Sequence, residues 1–283
     1  MLESPRVPEQ PPQRSESREI AELRKLKDDN PDLGSAVDLQ IELLQVQRRV
    51  QSRVALPAIR LDSEHLNSLL SLGPILQFEH LKIDWSDVRF LLRAAAAAMR
   101  THEALDDRDF QRADALSRDG ARLPDIVRAW YAGNRAGAPI DADAAGLEPL
   151  LQQAMRPILT RAADAIMART DLSAWNKGTC PLCAGEPDLA VITPAAERLL
   201  ICGRCQARWR FHQLTCPFCL NGDRSKITSF ASRDGHYRLY ACDVCQRYLK
   251  AYDARKASRP VMPAVDSVAT LPLDAAAMQK GYR

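Results

Sequence analysis

Eight cysteines are the residues of this 283-residue chain whose type and spacing could do chemistry. All of them occur in C-x-x-C pairs, a spacing that lets two sulfur atoms reach the same metal ion. The pairs are Cys180/Cys183, Cys202/Cys205, Cys216/Cys219 and Cys242/Cys245. The first 179 residues contain no cysteine, so any such chemistry is confined to the C-terminal part of the chain.

Three chemistries use such pairs: disulfide bridges, redox-active dithiols and metal binding. Disulfide frameworks are typical of short secreted chains, whereas this chain is long and its N-terminus lacks the apolar segment of a secretory signal. Thioredoxin-type dithiols accompany a βαβ pattern, which is absent around these pairs. No uncharged apolar stretch approaches the ~18 residues of a membrane span. The sequence therefore predicts a cytoplasmic protein without membrane contact, whose reduced cysteines bind metal.

Eight thiolates can form two closed sites, because a structural tetrahedral site takes four ligands. The runs LAVIT and RLLIC between the first two pairs, and KITSFAS and HYRLYAC between the last two, predict two β-hairpins. Because a hairpin reverses the direction of the chain, it brings the cysteine pair after it close to the cysteine pair before it. The first and second pairs should therefore form one site, and the third and fourth pairs the other. The crossed alternative, in which each hairpin spans two ions, stays open on spacing alone.

All-sulfur tetrahedral sites accept either iron or zinc, and the residue types do not choose between them. The segment QARWRFHQLT between the two predicted sites alternates like a strand, so His212 is interpreted as a polar strand residue rather than a further ligand. The pairs suit rubredoxin-like or zinc-ribbon turns. Such turns often place glycine after the second cysteine, where this chain has Ala184, Gln206, Leu220 and Gln246.

The elements that must position the cysteines begin with a helical N-terminal part. Val37, Ile41 and Leu44 recur at helical spacing, and Asp84 precedes an alanine-rich run of strong helix formers. Further helical segments follow, and a kink or break is expected before Pro157. The predicted fold class is α+β, with an N-terminal all-α helical domain followed by two tandem rubredoxin-like or zinc-ribbon modules and a short C-terminal tail.

The composition along the chain divides it into five parts. They are a mobile tail over residues 1–18, a helical domain over residues 19–172, a first four-cysteine ribbon over residues 173–212, a second over residues 213–258, and a C-terminal tail over residues 259–283. The ribbons have few core residues, so their folding should depend on metal, while the helical domain is large enough to fold by itself.

Residues 171–283 are basic, with 16 Lys and Arg against 10 Asp and Glu. Eight thiolates and two divalent ions reduce the excess charge of this part to about +2. The basic residues therefore largely balance the thiolates, which disfavours a nucleic acid partner. The chain shows no nucleophile–base set and no open metal site, so an accessory or adaptor protein is expected rather than an enzyme, with no catalytic residues.

Four motifs stand in a fixed order in the C-terminal part. They are CPLCAGEP, LLICGRCQARWRFHQLTCPFC, YACDVCQRYLKAYDARK and AVDSVATLPLDAAAMQKGYR. This ordered set resembles the formate dehydrogenase accessory protein FdhE family over the last ~110 residues. The helical part is similar to the family in size and type, without a sharp motif.

The resemblance implies a cytoplasmic accessory protein for assembly or maturation of formate dehydrogenase. Such a protein binds the catalytic subunit of that enzyme before export and carries iron in rubredoxin-like knuckles. Arg208 and Arg210, close to Trp175 and Trp209 at the junction of the two parts, are candidate contacts for that subunit. The alternatives are a zinc-ribbon adaptor or nucleic-acid-binding protein, or a rubredoxin-like electron carrier. The oligomeric state is not predicted.

Overall fold

The fold is given by a computed structural model. It describes residues 17–133, 146–257 and 259–283. Most of the predicted mobile tail, residues 1–16, lies outside the described residues. Of the last two tail residues, Ser17 caps the first helix and Arg18 begins it. The Ser17 hydroxyl accepts a hydrogen bond from the Ile20 amide at 3.3 Å, and the helix begins at Arg18 because this cap is available.

Helices make up the described N-terminal part of the chain. They are α1 (Arg18–Asp29), α2 (Gly34–Gln51), α3 (Ser63–Leu72), α4 (Trp85–Thr101), α5 (Asp107–Arg118), α6 (Arg122–Gly133) and α7 (Glu148–Met167). The predicted cap at Asp84 is present, since its carboxylate accepts a hydrogen bond from the Ser86 amide at 2.8 Å. The alanine-rich run therefore forms α4 where the sequence predicts a helix.

Of the kink or break expected before Pro157, the break does not occur, because α7 continues through that residue. The kink stays a prediction. A proline inside a helix removes the amide that would bond the carbonyl four residues earlier, here that of Gln153. The Gln47 side chain of α2 replaces this donor: its Nε2 lies 3.2 Å from the Gln153 carbonyl oxygen. The prediction of a break was wrong because a distant side chain satisfies the orphaned carbonyl.

Helix α2 has two apolar sides. Val37 lies in a small core with α1 and the C-terminal segment, and Ile41 and Leu44 of the predicted face pack against that core. Leu43 and Val46 lie on the other side and belong to the main core. The helix therefore connects the main body of helices to the C-terminal segment.

The C-terminal part forms one six-stranded sheet. Its strands are β1 (Pro187–Ile192), β2 (Arg198–Cys202), β3 (Arg208–Phe211), β4 (Ile227–Ala231), β5 (Tyr237–Cys242) and β6 (Arg247–Asp253), in the order β3-β2-β1-β6-β5-β4. Both predicted hairpins are present, as the antiparallel pairs β1–β2 and β4–β5. Trp209 and Phe211 are the buried residues of β3, which confirms the predicted alternation.

The two three-stranded modules are joined edge to edge by the parallel pairing of β1 with β6, which runs from Leu189 opposite Lys250 to Ile192 opposite Asp253. A bidentate ion pair supports the junction, with the Arg247 guanidinium 2.7 and 2.6 Å from the two carboxylate oxygens of Glu186. The tandem modules of the prediction therefore share a continuous sheet.

Two short helices follow the sheet, α8 (Pro263–Ala269) and α9 (Leu271–Gln279). The buried Asp266 carboxylate of α8 accepts hydrogen bonds from the Tyr237 hydroxyl at 2.8 Å and from the Arg259 guanidinium at 2.6 Å. Asp274 of α9 accepts from the Tyr248 hydroxyl at 2.8 Å and from Lys250 at 2.7 Å. The C-terminal segment is thereby tied to the face of the sheet.

The helices and the first ribbon share one core. Cys180 and Cys205 lie in the same buried cluster as Leu92 of α4 and Leu159 of α7. The expectation that the helical domain folds independently of the first ribbon is therefore not supported by the packing, and the predicted domain boundaries stay predictions. Within the described residues, no helix combines the length and apolar character that crossing a lipid bilayer requires.

Candidate metal sites

Each cysteine pair lies in a tight turn whose last residue has a left-handed backbone. The residues after the second cysteine, Ala184, Gln206, Leu220 and Gln246, have φ values of 60°, 60°, 60° and 56°. Each of them donates its amide to the carbonyl of the first cysteine of its pair, over 2.8 to 3.1 Å. The turns therefore adopt the knuckle geometry without glycine at the position that usually favours it.

The first site contains the first and second pairs. The sulfur of Cys180 lies 3.6 Å from that of Cys205, and the sulfur of Cys183 lies 3.4 Å from Cys202 and 3.5 Å from Cys205. All four sulfurs lie within 4.8 Å of one another. This grouping is the one that the hairpin spacing predicts, and the crossed alternative is wrong.

The second site contains the third and fourth pairs in the same arrangement. The sulfur of Cys216 lies 3.7 Å from that of Cys245, and the sulfur of Cys219 lies 3.7 Å from that of Cys242. These four sulfurs also lie within 4.8 Å of one another. The segment between Cys205 and Cys216 therefore connects two separate clusters.

The donor atoms fit a metal ion better than a disulfide. Metal–sulfur bonds of about 2.3 Å place the sulfurs of a regular tetrahedron about 3.8 Å apart. The observed sulfur–sulfur distances of 3.4 to 3.7 Å are near this value, and a disulfide requires about 2.05 Å. Each cluster could hold one ion with four sulfurs, a closed coordination that suits zinc or iron and leaves no position for a substrate.

The electrostatics of the clusters also favour a cation. Burial raises the pKa of the Cys180 and Cys205 thiols well above the usual value, whereas hydrogen bonds from the neighbouring thiols lower the pKa of Cys183. Burial raises the pKa of Cys216 to about 12. Several thiolates can share such a space only when a positive charge compensates them, and a bound metal ion supplies that charge.

The helical part holds the first knuckle of the first site by backbone pairing. The Ile75 amide donates to the Pro181 carbonyl at 3.0 Å, and the Leu76 amide donates to the Leu182 carbonyl at 2.9 Å. The two knuckle residues lie between Cys180 and Cys183. The loop after α3 therefore fixes the position of both sulfurs of this pair.

The second knuckle of the first site is held by side chains. Gln152 and Arg156 of α7 donate to the Gly203 carbonyl at 2.8 and 3.2 Å. Arg204, buried between the two cysteines, donates to the Trp130 and Tyr131 carbonyls at 2.8 and 3.0 Å. A cation at this place also interacts favourably with the C-terminal end of α6.

The sequence interpretation missed these three side chains. A signal for Arg204 was available, since a charged residue inside a C-x-x-C turn of a buried site needs partners outside the turn. The contacts of Gln152 and Arg156 depend on how α7 crosses the sheet, which the sequence pattern does not specify.

Other candidate residues lie apart from the sulfurs. His212 follows β3 and belongs to neither four-cysteine cluster, and its ring stands 5.8 Å from that of Phe211. Trp209 is buried and donates its indole N–H to the Lys177 carbonyl at 3.0 Å, so it is a core residue and not part of a contact surface. Arg208 and Arg210 are exposed on β3.

Comparison with known proteins places this arrangement in context. No family model matches the chain. A protein FdhE homolog from Actinobacillus pleuropneumoniae serotype 3 is 29% identical over 126 residues, which cover 44% of this chain and 41% of the relative. Protein FdhE from Escherichia coli K12 is 30% identical over 107 residues, covering 36% of this chain and 34% of the relative.

The crystal structure of the FdhE protein from Pseudomonas aeruginosa has a similar fold. It superposes with a TM-score of 0.62 and 20% identity, over 94% of this chain and 91% of that chain. The chain resembles FdhE proteins in sequence over part of its length and in fold over most of it. The fold of this chain, a helical part followed by a sheet with two four-cysteine clusters, is the α+β architecture that the sequence predicts. The sequence matches to the two curated FdhE proteins span only 41% and 34% of their lengths.

Proposed function

We propose that this chain is a non-catalytic, cytoplasmic accessory protein for the maturation of formate dehydrogenase, which binds the catalytic subunit of that enzyme. The similarity to FdhE proteins and the two four-cysteine clusters support an accessory role. The observation that carries the proposal is that each cluster offers four sulfurs to one ion. A closed coordination shell stabilises a protein surface but leaves no open position for a reacting substrate.

The proposed metal ligands are the eight cysteines, four for each of two ions. The ion is iron or zinc, since both accept tetrahedral thiolate coordination. In this role the ions hold the knuckles in position, and the surrounding surface presents contacts to the partner. Arg208 and Arg210 are exposed on the outer strand β3 and are the proposed contacts for the catalytic subunit.

Deleting the gene and restoring it on a plasmid tests this function. The deletion strain should contain the formate dehydrogenase catalytic subunit but lack most of its activity, and the intact gene should restore the activity. Affinity-tagged chain purified from the same cells should carry the catalytic subunit, identified by mass spectrometry, together with two ions per chain. Full formate dehydrogenase activity without the gene would exclude the proposed role.

A matched pair of variants tests the proposed contact surface. Replacing Arg208 and Arg210 by glutamate should reduce recovery of the catalytic subunit while both ions stay bound, because the change reverses two charges without touching a sulfur. The control replaces Arg224 and Arg233, which are exposed residues before and after β4, in the same way. Equal recovery from the two double variants would move the contact to another surface.

A further inference from the structure

The two metal sites differ in how far their sulfurs lie from solvent. In the first site Cys180, Cys183 and Cys205 are fully buried, and Cys202 is 1% exposed. In the second site Cys219 is exposed, and it is the one exposed cysteine in the described part of the chain. Cys245 of the second site is partly exposed. A solvent molecule or an external donor can therefore reach the second site directly, but not the first.

Two residues of the second-site cysteine turns are also exposed to solvent. Leu220 follows Cys219 and is 62% exposed, and Val244, between the cysteines of the fourth pair, is 58% exposed. The corresponding residues of the first site are Ala184, which follows Cys183, and Arg204, between the cysteines of the second pair, and both are buried. Movement of a second-site knuckle thus exposes little additional apolar surface.

The contacts that hold the knuckles in place are also more buried at the first site than at the second. Both knuckles of the first site receive hydrogen bonds from helical residues in the core. The fourth pair is held by the C-terminal residues, since the Tyr282 hydroxyl donates to the Asp243 carboxylate at 2.6 Å and the Arg283 amide donates to the Gln246 carbonyl at 2.8 Å. The Tyr282 contact is exposed, so opening the second site breaks fewer buried interactions.

We propose that the first site keeps its ion while the core stays folded and that the second site exchanges its ion with external donors, beginning at Cys219. In the exchange the bond between the ion and the Cys219 sulfur breaks, and a bond to the incoming donor forms. The released thiolate takes a proton from water. Repetition of this exchange at the other three sulfurs moves the ion to the incoming donors. The incoming donor is a soft ligand, a thiolate in particular, because such donors compete best with cysteine for zinc or iron.

This inference does not depend on formate dehydrogenase, and it assigns different tasks to two sites with the same ligand set. The first site stabilises the shared core. The second site is the place where the chain gains or loses metal, and where a thiol-bearing molecule can bind the ion.

Metal release from the full zinc-loaded chain tests the inference. Excess 4-(2-pyridylazo)resorcinol is added, and its zinc complex is followed by absorbance. Two phases of one ion each are expected, with rates that differ at least roughly tenfold, because one site opens locally and the other opens only with the core. A single phase that releases both ions at one rate would overturn the proposal.

Two variants assign the phases. Cys219→Ser should lose the fast phase and keep the slow phase of one ion. Tyr282→Phe should accelerate the fast phase roughly threefold to tenfold, because it loses the hydrogen bond to Asp243, and leave the slow phase unchanged. Gln152→Ala is the control, since it touches only the first site and should leave the fast phase unchanged. Loss of the slow phase in Cys219→Ser would reverse the assignment and overturn the proposal.

Alkylation of the unaltered chain is an independent measurement. Zinc-loaded protein is treated with iodoacetamide and digested, and the labelled cysteines are counted by mass spectrometry over time. Cys219 should be labelled first, and the four cysteines of the first site should stay unlabelled until the protein unfolds. Labelling of Cys183 or Cys205 as early as Cys219 would contradict a closed first site.

Discussion

The residue after each cysteine pair has a conformation that its side chain disfavours. A left-handed backbone costs a residue with a Cβ atom roughly 1–2 kcal/mol. Ala184, Gln206, Leu220 and Gln246 nevertheless adopt it, because the amide at this position closes the knuckle and the sulfurs converge. Strain of this kind persists where surrounding interactions fix the backbone, as metal binding would do here.

Leu220→Gly should therefore stabilise the metal-loaded chain by about 0.5–1 kcal/mol, the relief of strain minus the entropy cost of glycine. Leu220 is exposed, so little packing is lost. Guanidinium unfolding of the zinc-loaded protein measures the change. Val244→Gly is the control, because Val244 is also an exposed knuckle residue but has no positive φ, and it should destabilise. Equal effects of the two variants would contradict strain at Leu220.

At the scale of elements, the linker before the first site packs closely on the second. A Cβ atom on Gly178 would lie 1.9 Å from the Pro217 carbonyl oxygen, a backbone atom that cannot move away cheaply. The linker and the third cysteine pair are therefore in direct contact, and only glycine allows this distance. The contact connects the helical part to the second site without passing through the sheet.

Gly178→Ala should destabilise the chain by at least about 2 kcal/mol, because relieving the overlap requires a backbone shift. Gly222→Ala is the matched control: it lies in the same region, and a Cβ there meets no atom within 4 Å. The control should be neutral or slightly stabilising. Thermal unfolding of both zinc-loaded variants compares them, and equal midpoints would show that the linker does not pack as described.

A second contact at the scale of elements involves the motif YACDVCQRYLKAYDARK. The tyrosine and lysine of the YLK sequence, Tyr248 and Lys250, both bind Asp274. Asp274→Asn should cost about 2–3 kcal/mol, because the buried Lys250 ammonium loses its counter-charge. Asp28→Asn, at an exposed position of α1, is the control and should change stability little. Urea unfolding distinguishes the two outcomes, and an equally stable Asp274→Asn would exclude the proposed role of the ion pair.

The sequence predicts the local elements better than their assembly. Cysteine spacing and strand periodicity predict both hairpins and the grouping of sulfurs, because these depend on residues close in sequence. The β1–β6 pairing, the continuity of α7 through Pro157 and the position of Arg204 depend on contacts between distant segments. Gln47, which satisfies the Gln153 carbonyl, illustrates the difference, since it stands 106 residues away and no local pattern identifies it.

At the scale of the whole molecule, the first site and the helices are one packing unit. Cys183→Ser should therefore loosen the helices as well as the first ribbon, whereas Cys219→Ser, the matched change in the second site, should leave the helices intact. Hydrogen exchange of the α6 and α7 amides measures this, with faster exchange expected in Cys183→Ser alone. Unchanged protection of α7 after loss of the first ion would show that the helices fold independently.

The order of the strands has a consequence for self-association. The first strand of one module, β1, pairs with the last strand of the other, β6, and within the described residues this leaves β3 and β4 as the outer strands. These are again a last and a first strand, so two molecules could repeat the internal junction head to tail, in an arrangement that does not close. Charged side chains on an outer strand oppose such growth, and β3 carries Arg208 and Arg210 on its exposed side.

Replacing both arginines by threonine should produce concentration-dependent oligomers in sedimentation velocity, and the same change at Arg224 and Arg233 should not. We therefore expect the arginines of β3 to have a second effect besides any partner contact, which is to keep an open-ended sheet from forming fibres.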